Sequence, residues 1–198
     1  VPSRLFCAAG AAALLLFASA PVRADAPFPD MLTSLDRDRL SMYEPVRRDT
    51  LAYVRKHGEP AQVAELERVL EGSARDIAPA ELAGVWRCRV IKLARVPELP
   101  IVIYQDFECR ITDDSEGLRL EKLTGSQRTG GTFYDIGETR LGYAGALALG
   151  DEAHIPRYGE KRARNQVGYL VPISPQRMRL EFPRPPHEAD LEILELHR

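Results

Sequence analysis

The sequence predicts a mainly β protein, an eight-stranded antiparallel up-and-down barrel preceded by a helical segment. Three observations carry this expectation. Helical periodicity in the apolar residues gives way after Glu81 to a period of two, which recurs to the C-terminus. The alternating region divides into eight runs separated mostly by short clusters rich in Gly, Pro, Asp and Ser. Strands joined in this way leave unpaired edges, and closure into a barrel removes them; an open sandwich is the alternative arrangement.

The chain has 198 residues, 44% hydrophobic and 28% charged, enough apolar material for one core of ordinary size. Its 27 Lys and Arg nearly balance 29 Asp and Glu, so no global field draws it to nucleic acid, heparin or an anionic membrane. No cofactor motif is present in the sequence.

Residues 1–24 read as a signal peptide. Arg4 precedes an apolar run, Leu5 to Ala20, that is too short to span a bilayer, and Val22-Arg23-Ala24 matches a cleavage site. A cut after Ala20 would leave Pro21 next, so cleavage is expected after Ala24. Cys7 lies at the start of the apolar run instead of closing it, which argues against a lipoprotein anchor there. The mature chain keeps 25 basic and 29 acidic groups, a net charge of −4, and no second apolar segment of spanning length. It is expected to be soluble and exported, periplasmic or extracellular.

Residues 25–80 form the helical segment, expected to pack on the barrel. Leu32, Leu35, Leu40 and Tyr43, then Val46, Leu51 and Val54, recur at three- and four-residue spacings. Gly58 ends one helix, with Lys56 and His57 suiting the dipole of its last turn. Pro60 opens the next, whose stripe of Val63, Leu66, Val69 and Leu70 needs a surface to cover. Docking on the barrel is the expected role of that stripe, a partner-binding helix the other. Residues 76–79 read as a linker.

Residues 81–198 form the barrel domain, with strands expected at 84–93, 100–112, 117–126, 130–136, 139–149, 165–173, 177–182 and 190–196. Arg177, Arg179 and Glu181 alternate with Met178, Leu180 and Phe182, so this strand is expected to have one wet face. Export leaves Cys88 and Cys109 in a compartment where disulfides persist. If the first hairpin turns at Glu98 and Leu99, Cys88 faces Cys109, Val90 faces Phe107 and Trp86 faces Ile111, so a cross-strand disulfide is expected. Without a nearby His or third Cys, the pair makes a poor zinc site.

The opening Leu82-Ala83-Gly84-Val85-Trp86 resembles that of lipocalins and calycins. The resemblance implies a tryptophan that plugs one end of a barrel and a small apolar ligand admitted at the other. The chain departs from lipocalins in its helical segment before the barrel and in lacking a helix after the last strand. Five phrases, beginning at Trp86, Phe107, Lys122, Gly145 and Asn165, are together similar to a bacterial family described as domain of unknown function 4893. That resemblance implies a secreted protein of about this size and no activity, cofactor or ligand.

Alternation aims Trp86, Cys88, Val90 and Lys92 inward, and across the hairpin Cys109, Phe107, Gln105 and Ile103. Lys92 and Gln105 then lie near the open end and would orient the polar head of a ligand; otherwise Lys92 snorkels to water or a bulge flips the face. From Lys122 to Gly131 the aliphatic alternation stops, and Gln127 and Arg128 offer donors to a carboxylate or phosphate, Arg128 alternatively to an ion pair. Residues 150–164 are dense in charge and carry Asp151, Glu152, His154 and Tyr158, so they are a candidate lid or acid–base cluster. Their spacing fits no metal motif. The run Asp113 to Gly117 reads as an acidic turn and not a calcium loop.

Three functions follow. An exported barrel binding a small apolar or amphipathic molecule would enclose a cavity lined by Trp86, Val90, Phe107, Tyr143 and Tyr169. A periplasmic interaction or envelope-maintenance protein would have a filled barrel and an exposed apolar patch. An enzyme would bring Asp151, Glu152, His154 or Arg128 into one cleft.

Overall fold

The computed structural model describes residues 28–76, 78–150 and 152–198. The expected signal peptide, residues 1–24, and Asp151 lie outside them. Helices α1 (Ser34–Ser41), α2 (Tyr43–His57), α3 (Pro60–Leu70) and the short α4 (Pro79–Leu82) precede eight strands. These are β1 (Gly84–Leu93), β2 (Ile101–Asp114), β3 (Gly117–Lys122), β4 (Gln127–Asp135), β5 (Leu141–Leu149), β6 (Asn165–Ser174), β7 (Arg177–Pro183) and β8 (Leu191–His197). Each strand pairs antiparallel with the next, and β8 returns to β1 to close the barrel.

The helices start and stop where local chemistry demands. The Thr33 hydroxyl accepts from the Asp36 amide and caps α1. Gly58 follows α2, whose last turn holds Arg55, Lys56 and His57, and Pro60 occupies the first turn of α3. Val46, Leu51 and Val54 of α2 and Leu66 and Val69 of α3 pack on Ile91, Leu93, Ile101, Leu191 and Ile193. These barrel residues belong to β1, β2 and β8, so the strands at the closure are buried on both faces.

Helix docking also changes the face expected to be wet on β7, where Arg179 and Glu181 are buried. Glu181 accepts from Tyr43 Oη at 2.9 Å, Arg47 Nε at 2.7 Å and Arg179 Nε at 3.1 Å. Arg179 also donates to the Val69 and Leu70 carbonyls at 3.0 and 2.9 Å, satisfying the end of α3. Arg179 and Glu181 on this side of the strand bind helix ends and helix side chains and are buried, while Arg177 at its start is half-buried.

Two corrections concern the first hairpin. Cys88 faces Phe107 and Cys109 faces Trp86, a register two residues from the expected one. A slip of two preserves the face, so the cysteines become diagonal neighbours with Cα atoms 5.8 Å apart, and they are disulfide-bonded. Nearer the turn, Arg89 pairs with Asp106 but Ile91 with Ile103, a bulge that inserts one residue into β2. That extra residue turns Gln105 out to solvent, sends Ile103 to the helix-covered face, and brings Tyr104 to the barrel mouth in its place.

Apolar side chains fill the interior from the Trp86 end upward, including Ile111, Leu120, Phe133, Leu170, Leu180, Phe182 and Leu196. Trp86 donates from Nε1 to the Leu82 carbonyl at 2.8 Å, while the Arg198 guanidinium lies 4.1 Å from its ring centre. Mid-barrel, Gly131 and Gly145 are direct cross-strand partners. A Cβ on either would come within 2.8 Å of Tyr143 atoms, so the two glycines leave the slot that the Tyr143 ring fills. Its hydroxyl lies 2.9 Å from Thr129 Oγ1.

Replacing Cys88 and Cys109 together by Ala is expected to lower the unfolding free energy by about 3 kcal/mol, from the loop-closure entropy restored to the unfolded chain. Urea unfolding curves of the two proteins measure this, and coincident midpoints would remove the bridge as a stabilising element.

Candidate functional site

Three strands end their inward apolar series on a charge at the same end of the barrel. On β1 the series is Trp86, Cys88, Val90, Lys92; on β3 it is Leu118, Leu120, Lys122; on β8 it runs from Leu196 through Leu194 to Glu192. All three charged residues are buried. Lys92 and Glu192 are direct cross-strand partners. Ionised groups enclosed in a barrel are costly unless paired, so this end is set apart from the apolar packing below it.

The lysines are held differently. Lys92 Nζ donates to Gln127 Oε1 at 2.9 Å and to the Glu188 carboxylate, on the β7–β8 loop, at 2.6 Å. Lys122 Nζ donates to the Thr124 and Gln127 carbonyls at 2.9 and 2.7 Å and sits 3.7 Å over the Phe107 ring. The β3–β4 turn wraps so closely that a Cβ on Gly125 would stand 2.8 Å from Lys122 Nζ, and Gly125 has φ +93°. Glu192 accepts no hydrogen bond among the described residues and feels the lysines through space. Val90, Lys92, Tyr104, Phe107, Lys122, Ser126 and Gln127 line a hollow of about 130 Å³ here.

Burial sets the titration of this end. It pushes the Glu192 carboxyl up to about 7, against the pull of Lys92 and Lys122. It pushes the Lys122 ammonium down to about 8. Burial thus displaces the carboxyl and the amine toward each other.

A family model described as a domain of unknown function, DUF4893, matches residues 29–196. The chain belongs to the DUF4893 family. No curated protein and no solved structure matches it. In this DUF4893 chain the closed eight-stranded barrel is compatible with the calycin resemblance of its Gly-x-Trp opening.

The other residues singled out in the sequence scatter. Trp86 and Tyr143 are packing elements of the filled interior, and only Val90 and Phe107 of the expected cavity lining reach the mouth. Tyr169 points outward on β6, edge-on to Tyr43 at 4.9 Å with the Arg140 guanidinium 4.3 Å from its ring. Arg128 donates to the Glu152 carbonyl, and His154 is exposed. The loop after β5 folds down the outside of the barrel and does not close over the mouth. Ile155 packs beside Gly130, and Tyr158 donates to Asp36 at 2.7 Å and accepts from the Thr33 amide at 2.9 Å.

Glu152 is not available as a base. It takes donors from Lys161, the Leu149 amide and Arg164, which pull its carboxyl down to about 2. A groove of about 650 Å³ beside residues 155–158 is lined by Arg119, whose terminal nitrogens pair with Asp114 and Glu116 while its Nε has no partner among the described residues. Among the described residues no cluster of His, Cys, Asp and Glu is placed to hold a metal, and no helix is long and apolar enough to cross a membrane.

Sequence reasoning missed Lys122, Glu192, Tyr104 and Glu188 in this DUF4893 chain. A signal for the first two was present: Lys122 shares the parity of Leu118 and Leu120, and Glu192 that of Leu194 and Leu196. Tyr104 depends on the bulge and Glu188 on a loop path, neither of which alternation encodes.

The raised Glu192 carboxyl predicts a pH dependence. Its folded-state pKa exceeds the unfolded value, so its contribution is fully present below the unfolded pKa and is lost as pH rises through about 7. Glu192→Gln is expected to flatten the fall in unfolding free energy between about pH 5 and about pH 8, by roughly 2 kcal/mol. Urea unfolding at the two pH values measures it, and equal falls in both proteins would show an ordinary carboxyl.

Proposed function

We propose that this DUF4893 protein is an exported binding protein that takes the polar head of a small amphipathic molecule into the mouth of its barrel. The observation that carries the reading is the enclosure of Lys92, Lys122 and Glu192 beside the apolar walls of Val90, Tyr104 and Phe107. A site of this composition orients a head by charge and grips the adjoining carbons by contact. Its volume is close to that of a hollow admitting a benzene-sized molecule, about 150 Å³, so the rest of the ligand would extend outward. Val96 and Leu99, exposed on the hairpin that rises from the same rim, offer it apolar surface. The disulfide supports export, since such bonds persist in oxidising compartments.

The filled lower barrel favours a second reading, an interaction or envelope-maintenance protein acting through protein partners. Native mass spectrometry of the mature protein, incubated with eight-carbon amphiphiles bearing carboxylate, amine or hydroxyl heads, separates the two. An adduct with at least one amphiphile is expected, and Lys92→Met is expected to lose it. Because Lys92→Met leaves the buried Glu192 without its cross-strand lysine, the variant is expected to melt at a lower temperature, and its adduct is read below that melting point, where it is folded. Absence of any adduct would overturn the binding reading and leave the partner reading.

A further inference from the structure

We infer that Glu188 stands in the place of a ligand carboxylate, so that the molecule taken up at the mouth carries a carboxylate and enters by displacing Glu188 from Lys92. This rests on the mouth being the binding site.

The first support is the asymmetry of the pair. The Lys92 side chain is 5% exposed, whereas that of Glu188 is 64% exposed, yet they meet at 2.6 Å. Glu188 reaches in from solvent to a fixed, buried partner. Lys92 pulls the Glu188 carboxyl below its usual range, with smaller help from the charge of His187 and from the nearby Gln127 side chain. Gln127 Oε1, accepting from Lys92 Nζ at 2.9 Å, fixes the ammonium in place, and the ammonium offers a charged donor to a carboxylate oxygen.

The second support is the loop that delivers Glu188. Its base is fastened: the Arg184 amide donates to the Asp190 carbonyl at 2.8 Å, and the Asp190 amide to the Leu93 carbonyl at 2.9 Å. Asp190 also accepts from the Arg95 amide at 2.7 Å. Pro183, Pro185 and Pro186 stiffen the path. Within this frame Arg184 and Glu188 adopt φ of 46° and 60°, the left-handed region that side chains other than glycine enter at a cost. A strained, proline-stiffened excursion that ends in one carboxylate on a buried lysine is a built contact, and such strain concentrates at functional positions.

The third support is that Lys92 already has an acid beside it. Glu192 is its cross-strand partner on β8, so a second carboxylate is not required for Lys92 to have a counter-ion. The charged groups around this contact are Lys92 on β1, Lys122 on β3, Arg128 on β4, Glu192 on β8, and His187 with Glu188 on the loop. An amine head would meet two lysines there, and a hydroxyl would exchange an ion pair for a neutral contact. A carboxylate replaces Glu188 like for like, with Val90, Tyr104 and Phe107 taking its first carbons. Protonation of Glu192 below about 7 removes a repelling charge, so carboxylate binding should tighten as pH falls from about 8 to about 6.

Isothermal titration of the mature protein with octanoate, octylamine and octanol tests the inference, on wild type, Glu188→Gln and Glu188→Ala. Both variants alter an exposed side chain, so folding is preserved. Octanoate is expected to bind wild type, and to bind both variants about five- to tenfold tighter, with no gain for the amine or the alcohol. Octanoate binding that is equal in wild type and variants would overturn the stand-in role of Glu188 while leaving the mouth as the site. Octylamine or octanol binding as tightly as octanoate would overturn the carboxylate class. Failure of all three probes on all three proteins would overturn the inference together with the binding reading.

Discussion

Closure of the barrel by the β1–β8 ladder is the constraint on which the rest of the structure depends. An open meander would leave two edges and an interior of adjustable width; the ladder from Arg87 and His197 to Leu93 and Leu191 abolishes both. Once the girth is fixed, the inward side chains have a finite volume to fill, and they fill it unevenly. Trp86, Phe182, Leu180 and Tyr143 occupy the lower and middle levels, and the charged ends of β1, β3 and β8 are gathered at the top. The mouth is therefore a product of closure: Lys92 and Glu192 meet because β8 pairs with β1.

The same ladder explains the helices. Closure presents Ile91, Leu93, Leu191 and Ile193 on an outer face too apolar to leave wet, and α2 and α3 cover it. Their docking buries Glu181 and Arg179, which are stabilised only because Tyr43, Arg47 and the carbonyls at the end of α3 satisfy them. A comparable network holds α1 and the loop after β5. Asp36 accepts from Arg39, Tyr158 and Asn165, so the residues that looked like a lid are latched to the barrel wall. The outer polar networks are densely bonded. The mouth differs, because Glu192 has through-space neighbours and no hydrogen bond among the described residues, and Lys92 is shared with an exposed loop acid.

Much of the fold was legible in the sequence because alternation is a local property. The eight strands and their up-and-down order follow from runs and spacings that need no long-range information, and the disulfide survives a register error of two because such a slip keeps both cysteines on one face. The site was legible in part. Lys92, Phe107 and Gln127 were marked by parity or by the break in aliphatic alternation, and all three line the hollow at the mouth. Gln105 was misplaced because one extra residue in β2 inverts every face beyond it. Tyr169 was misplaced because its face of β6, with Val167, Val171 and Ile173, is the more apolar one yet points outward, Val167 and Tyr169 packing beside Leu32 and Leu40.

The sequence by itself determined which residues can lie on one face of a strand, where chains turn, and which helix stripes need cover. Those are consequences of backbone geometry, repeated every two or 3.6 residues whatever the surroundings. The tertiary structure alone decided which face is wet, since that depends on what docks: Arg179 and Glu181 look solvent-facing until α2 and α3 arrive. It alone decided where the loop after β5 lies, through Tyr158 and Asp36, which are far apart in the chain. It also assembled the charged mouth, because Lys92, Lys122, Gln127, Glu188 and Glu192 come from five separate segments. Their mutual burial, which shifts Glu192 and Lys122, is a property of the closed barrel and of no single stretch of chain.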